Sequence, residues 1–308
     1  MGRIQDAMRR VAAEKPAQPP ASPVFADEMF PPERSAATTP DEAGPQADAD
    51  EAGAASIGPD TAPAAASDEA LGHLDPSLVA KVVVDTRMAP TSREQYRRLA
   101  AALHHAQEAN GLKVVMIASA AAGEGKSLTA ANLALTLSES YRRTVLLVDG
   151  DLRRPSLHTV FGIQTESGLS EALDSPDEPK LTLYELSPRL TLLPAGRPTS
   201  DPMAGLTSRR MRALLDEARE QFGWVIIDTP PVGVLSDANL LAAMVDGVVL
   251  IIKADSTPYP LVQRAVEALG ADRVLGAVLN RVSEASLQAT YGYYYSYYAS
   301  SRADARTG

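Results

Sequence analysis

The chain has no cysteine among its 308 residues. That excludes a disulfide framework and any thiolate metal site, and it suits a reducing compartment. Long hydrophobic runs are missing too: none approaches the ~20 apolar residues that a membrane-spanning helix needs. The first residues, MGRIQDAMRR, lack the apolar centre of a secretory signal. The Met-Gly start does not develop into a myristoylation pattern, because Asp6 stands where Ser or Thr is required. The expectation is a cytoplasmic protein, or one recruited to a membrane by a partner. Aromatics are scarce, with 4 Phe, 1 Trp and 10 Tyr, so the placing of the tyrosines carries information.

A dispersed excess of one charge is also absent. The net charge is −10, but between Asp27 and Ala70 there are eleven acidic residues against the single basic Arg34. That stretch carries the whole imbalance, and the remainder is neutral overall. No basic footprint of a nucleic-acid binder is present.

Composition divides the chain into four parts. Residues 1–14 place Ile4, Met8 and Val11 at the spacing of a short helix. Residues 15–73 are rich in Ala, Pro, Asp and Glu, with only Phe25 and Phe30 as aromatics, and read as a disordered acidic linker that cannot offset its ordering entropy. Residues 74–283 alternate apolar runs with helical patterns. Residues 284–308 read as a flexible tyrosine-rich tail.

Within the third part, Ser92–Ala109 has helical spacing at Tyr96, Leu99, Leu103 and Ala106, with Ser92 as a cap and Gly111 as a stop. Strand runs follow at Lys113–Ser119, Thr144–Asp149, Leu190–Leu193, Trp224–Asp228, Gly247–Lys253 and Val274–Asn280. Helices are expected at Ser127–Ser140, before Phe161, at Ser208–Gln221, near Asp237–Met244 and at Pro260–Leu269. Runs that are continuous rather than alternating predict strands buried on both faces, hence a doubly wound, mostly parallel α/β sheet. Ligands in such sheets sit beyond the carboxyl ends of the strands.

The segment Ala120–Ser127 (AAAGEGKS) lies at such an end, between a strand and a helix. Gly123 and Gly125 let backbone N–H groups curl around phosphate oxygens, and the N-terminus of the following helix favours the same anion. Glu124 and Leu128 complete the cradle. Lys126 would reach the β- and γ-phosphates, and the Ser127 hydroxyl would ligate Mg²⁺. The chain is therefore expected to be a P-loop NTPase with a deviant Walker A, since Ala120 replaces the usual first glycine. Asp228 ends WVIID and has the form of a Walker B carboxylate. Asp149 and Asp151 follow the run LLV; one can assist Mg²⁺ and the other can accept a proton from an attacking hydroxyl.

These residues resemble the bacterial tyrosine autokinases of polysaccharide synthesis. The likeness runs from about Thr91 to Tyr298 through AAAGEGKSLTAANLA, LLVDGDLRRPSLHTVFG, LLPAGRPTSDP, WVIIDTPPVGVLSDA, VDGVVLIIKA and GAVLN. It implies ATP on the phosphate loop, Mg²⁺ held by Ser127, Asp151 and Asp228, and Lys126, Asp149 and Asp151 as catalytic residues. It also puts Arg153 at the arginine of the second Walker A-type motif and Asn280 near the adenine pocket. The tail reads YGYYYSYY, and the resemblance makes Tyr291, Tyr293, Tyr294, Tyr295, Tyr297 and Tyr298 the phospho-acceptors; on composition alone an aromatic interaction patch is the alternative. The family's oligomerisation motif, Glu-x-x-Arg-x-x-Arg, is matched at Glu94 and Arg97, with Ala100 in the last place and Arg98 beside it. The resemblance thus implies a homo-oligomeric ring, no nucleic acid, and a membrane-anchored chain-length-determinant protein as activator at the inner face of the plasma membrane.

The competing expectation from the same fold is a ParA- or MinD-like ATPase switch. Those proteins carry an extra lysine five residues before the catalytic one, a position held here by Ala121. A switch would also leave the tyrosine cluster without a use. A third reading is a non-catalytic nucleotide-binding scaffold.

Overall fold

Runs of Val, Ile and Leu form the middle of the sheet: β1 (Val114–Ser119), β2 (Val145–Asp149), β5 (Trp224–Asp228) and β6 (Gly247–Lys253). The shorter β3 (Tyr184–Ser187) and β4 (Leu190–Leu193) lie at one side, and β7 (Val274–Asn280) at the other. The computed structural model describes residues 74–174, 181–232 and 237–283. The expected helix at 1–14, the linker at 15–73 and the tail at 284–308 lie outside the described residues.

The seven strands are ordered β3-β4-β2-β5-β1-β6-β7. Every neighbouring pair is parallel except β3–β4. The chain leaves β1 for β2, returns to place β5 between them, and then continues outward through β6 and β7. The carboxyl ends of β1, β2 and β5 are therefore brought together.

Alternation along each strand fills two cores. On one face, Val114, Met116 and Ala118 of β1 pack with Val225, Ile227 and the apolar stripe of α6 (Arg209–Gln221) at Met211, Leu214, Leu215 and Ala218. On the other, Val115 and Ile117 pack with Trp224, Ile226 and α2 (Lys126–Glu139) at Ala130, Leu133 and Leu137. All of these side chains are buried, and each fully buried Val, Leu or Ile contributes roughly 1.5–3 kcal/mol. This is the physical reason that the strand runs lack polar alternation. The remaining helices are α1 (Pro90–Asn110), α3 (Leu157–Val160), α4 (Leu169–Asp174), α5 (Met203–Leu206), α7 (Asp237–Ala242) and α8 (Tyr259–Leu269).

Three expectations are corrected. β7 is not buried on both faces: Leu275 and Leu279 are 40% and 64% exposed. Among the described residues it pairs only with β6. Ser92 does not cap α1. The helix starts at Pro90, whose fixed φ and missing N–H suit a first turn, and the Ser92 N–H donates to the Ala89 carbonyl at 3.0 Å. Gly111 does end the helix, in the left-handed conformation at φ 70°. The P-loop helix begins one residue early, at Lys126.

A strap of residues 74–89 crosses the α2 face, with Leu74, Leu78, Val83 and Val84 packed on the core. Asn132, fully buried in mid-α2, holds the strap. Its Oδ1 accepts the Val83 N–H at 2.7 Å and its Nδ2 donates to the Lys81 carbonyl at 2.9 Å.

Candidate active site

The loop between β1 and α2 turns on two left-handed glycines, Gly123 at φ 76° and Gly125 at φ 91°. At Gly125 glycine is required twice over, since a Cβ would lie 2.3 Å from the Asn280 Nδ2. The first N–H groups of α2, at Lys126, Ser127 and Leu128, have no helical partners and remain available to an anion. Leu128 itself packs partly against the core.

Glu124 does not send its side chain to the phosphate position. It is 2% exposed, and its carboxylate accepts the Ala121 N–H at 2.8 Å, the Lys253 N–H at 3.3 Å and the Thr257 hydroxyl. Its backbone carbonyl accepts Asn280 Nδ2 at 2.7 Å, and the Asn280 carbonyl accepts the Ala254 N–H at 2.9 Å. Asn280 thus joins the end of β7 to the phosphate loop. Glu124 joins that loop to the β6–α8 connection. Sequence reading placed Glu124 in the cradle but had no means of finding Thr257 or Lys253.

Three carboxylates gather at the neighbouring strand ends. Asp149 and Asp228 are register partners in adjacent parallel strands, and both are fully buried. The Asp149 carboxylate serves its own loop, accepting the Ser156 and Leu157 N–H groups at 3.0 Å each and the Asp151 N–H at 3.3 Å. Burial, with the charges of Asp228 and Asp151, pushes Asp149 up to about 7, against the pull of the Leu157 and Ser156 N–H groups. Asp151 stands nearest the P-loop lysine: its Oδ2 is 3.7 Å from Lys126 Nζ, and its Oδ1 accepts the Arg154 N–H at 3.0 Å. Gly150 lies tight against the end of β5: its N–H bonds the Asp228 carbonyl at 2.8 Å, and a Cβ would lie 2.7 Å from the same oxygen.

Neither oxygen of Asp228 has a hydrogen-bond partner. Burial raises its pKa to about 6, while Lys126 and the nearby Ser127 hydroxyl favour the ionised form without an ordinary hydrogen bond being made. A fully buried carboxylate with both oxygens unsatisfied is costly unless a cation completes it. The residues therefore fit Mg²⁺, with Ser127 and Asp228 as the protein groups that would hold it. Among the described residues no group of three His, Asp or Glu side chains forms a cage.

Arg153 is engaged elsewhere. Its Nε donates to Asp237 Oδ2 at 2.6 Å, and Nη1 donates to the Ser200 carbonyl. Glu94 lies on α1 between Arg97 and Arg98, each 3.7 Å away, with all three side chains at least 43% exposed. Such surface pairs contribute little to stability. The six tail tyrosines lie outside the described residues. Among the described residues no helix is long and apolar enough to cross a membrane.

Comparisons with known proteins bear on this geometry. The family model ParA, described as NUBPL iron-transfer P-loop NTPase, matches residues 111–286. It accounts for the nucleotide fold; this chain offers no cysteine to an iron–sulfur centre. Tyrosine-protein kinase YwqD of Bacillus subtilis is 35% identical, over 69% of this chain and 90% of that protein. The tyrosine-protein kinase CapB of Staphylococcus aureus, named as putative, is 30% identical over 71% of this chain and 96% of that one. The kinase domain of the Escherichia coli tyrosine kinase ETK superposes with TM-score 0.60 at 28% identity, covering 68% of this chain and 83% of that domain. With a P-loop, three converging carboxylates and these relatives together, the chain belongs to the bacterial tyrosine-protein kinases built on the P-loop NTPase fold.

Proposed function

We propose that the protein transfers the γ-phosphoryl group of ATP to tyrosines of its own 291–298 cluster and thereby regulates exopolysaccharide or capsule synthesis. The observation that carries this reading is the pairing of Lys126 with Asp151 at 3.7 Å beside the unsatisfied, buried Asp228. Backbone N–H groups of the Gly123–Leu128 loop cradle the phosphates, and Lys126 draws charge from the β- and γ-phosphates. Mg²⁺ bound with ATP would supply neutralisation of the charge developing on the phosphate oxygens.

The tyrosine oxygen attacks the γ-phosphorus in line, the bond from that phosphorus to the bridging oxygen breaks, and ADP leaves. Asp151, held beside Lys126, takes the phenolic proton. Asp149 supports this by fixing the loop on which Asp151 sits. A membrane-anchored activator and a ring of copies using Glu94 and Arg97 follow from the family resemblance, as does recruitment to the membrane through that partner. The adenine-side role of Asn280 follows from the family resemblance alone, its amide being bonded to the Glu124 carbonyl and the Arg281 N–H.

The test incubates the full chain with Mg-ATP, with and without the cytoplasmic segment of a candidate activator, and blots for phosphotyrosine. Phosphotyrosine that vanishes in Lys126→Met supports the kinase. ATP turnover without phosphotyrosine overturns it in favour of the ATPase switch, the reading that Ala121 opposes.

A further inference from the structure

Outside the phosphate site, a fully buried carboxylate is bonded, among the described residues, by a single arginine side chain. Asp237, the first residue of α7, is 1% exposed. Its Oδ2 lies 2.6 Å from Arg153 Nε and its Oδ1 lies 3.4 Å from Nη2, so the guanidinium fork grips both oxygens. The third group, Nη1, donates to the Ser200 carbonyl. One side chain therefore ties together the loop after β2, the loop after β4 and the start of the helix that follows β5. The Thr199 N–H adds a bond to the Leu152 carbonyl at 2.9 Å.

These ties bracket Asp151. On one side Gly150 N–H is bonded to the Asp228 carbonyl at 2.8 Å. On the other, two residues along, Arg153 is held by Asp237. The position of Asp151 against Lys126 thus depends on anchors one and two residues away. We propose that Asp237 is a positioning residue for phosphoryl transfer: by clamping Arg153 it fixes the loop that presents Asp151 to the reacting phosphate. This rests on the kinase reading above. Arg153 then acts through the clamp, with its guanidinium committed to Asp237 and Ser200 and not to a phosphate. A fork on both oxygens makes the pair specific for arginine, since a lysine ammonium cannot reproduce two parallel bonds.

The experiment compares the full-length wild type with Asp237→Asn, Arg153→Gln, Arg153→Lys and the Asp237→Asn/Arg153→Gln double variant. It reads kcat and KM for tail phosphorylation, and the Kd of a fluorescent ADP analogue with Mg²⁺. The expected result is a roughly 10–100-fold fall in kcat for each single variant, the size of loss that a small misplacement of a reacting group brings. Nucleotide Kd stays at the wild-type value, lysine fails to rescue, and the double variant is no worse than the poorer single one, because the two residues act as one unit.

Wild-type kcat in Asp237→Asn overturns the proposal. So do losses that multiply in the double variant, or a Kd that rises in step with the fall in kcat, as a general structural fault would give. If Asp237→Asn does not fold, Arg153→Gln, at a side chain 26% exposed, decides the question alone. Wild-type phosphotyrosine is read first, with the cytoplasmic segment of the candidate activator present. Its absence refutes the kinase reading, and the same comparison is then made on ATP turnover, so the clamp is judged either way.

Discussion

Replacing Glu124 by Gln changes one oxygen to an amide nitrogen in a buried pocket whose hydrogen-bond donors are all assigned. In the native loop one carboxylate oxygen accepts the Ala121 N–H and the other accepts the Lys253 N–H and the Thr257 hydroxyl. Glutamine has a single acceptor oxygen, so its NH₂ must face one of these backbone donors. The less damaging orientation keeps the bond to Ala121 and turns the NH₂ toward Thr257, whose hydroxyl can reverse and accept. The Lys253 N–H is then unsatisfied and faces another donor. One such lost pairing costs about 1–3 kcal/mol, and Glu124→Ala, which abandons all three donors, costs about 3–5 kcal/mol. Urea unfolding of the full chain, read through the single Trp224 buried in β5, measures both. The Kd for Mg-ADP rises as well, because the Ala121 and Lys253 bonds hold the shape of the phosphate loop. Thr257→Ala removes one of the same bonds, so its effect should be smaller in the Glu124→Ala background, where no side-chain acceptor remains, than in the wild type. If Glu124→Gln unfolds at the wild-type urea midpoint and binds Mg-ADP unchanged, the latch contributes nothing and the reasoning fails.

Asp246→Asn should destabilise the fold by about 1–3 kcal/mol at neutral pH, since its carboxylate accepts the Lys113 and Val114 N–H groups at 2.9 and 2.8 Å and Arg219 Nη1 at 2.7 Å. Burial works against ionisation there, but the Val114 N–H, Arg219 and the Lys113 N–H outweigh it and lower the pKa. The stabilisation is therefore present above the unfolded-state value of 3.8 and is lost as pH falls through the lowered folded-state value, so urea midpoints of variant and wild type should converge in acid. Asn132→Ala should free the 74–89 strap at a cost of about 1–3 kcal/mol, seen as faster proteolytic nicking within that segment at unchanged catalytic rate per intact molecule. Asp228→Asn should abolish phosphotyrosine and remove the Mg²⁺ dependence of ADP binding by isothermal titration, while ADP without metal still binds; retained Mg²⁺ dependence would displace Asp228 from the metal site.

The parts of this protein that its sequence made legible are those where one local rule decides the outcome. Buried parallel strands show as unbroken Val, Ile and Leu runs, and β1, β2, β4, β5 and β6 lie where those runs stand. Gly111, Gly123 and Gly125 mark positive φ where only glycine is at ease. The phosphate loop announced itself because its glycines, lysine and serine are adjacent in the chain. What stayed hidden is made of pairs distant in sequence. β3, reading YELS, has no apolar run and exists through its antiparallel partner β4. The exposure of β7, an edge strand, is not encoded in its composition. Asn132 looks like a surface residue of a helix until the strap 49 residues earlier is seen to cover it.

Asp237 is the strongest case of this kind. At the start of a short helix it reads as an ordinary first-turn acid, yet it is buried against an arginine 84 residues away. The groups that would touch ATP lie on contiguous motifs and the groups that hold them lie on the connections between strands. A single-residue pattern therefore reveals the chemistry, while the precision of that chemistry depends on ties that only the folded chain brings together. Glu124 spans the two classes, sitting inside the phosphate motif while its side chain serves Lys253 and Thr257 on a different loop.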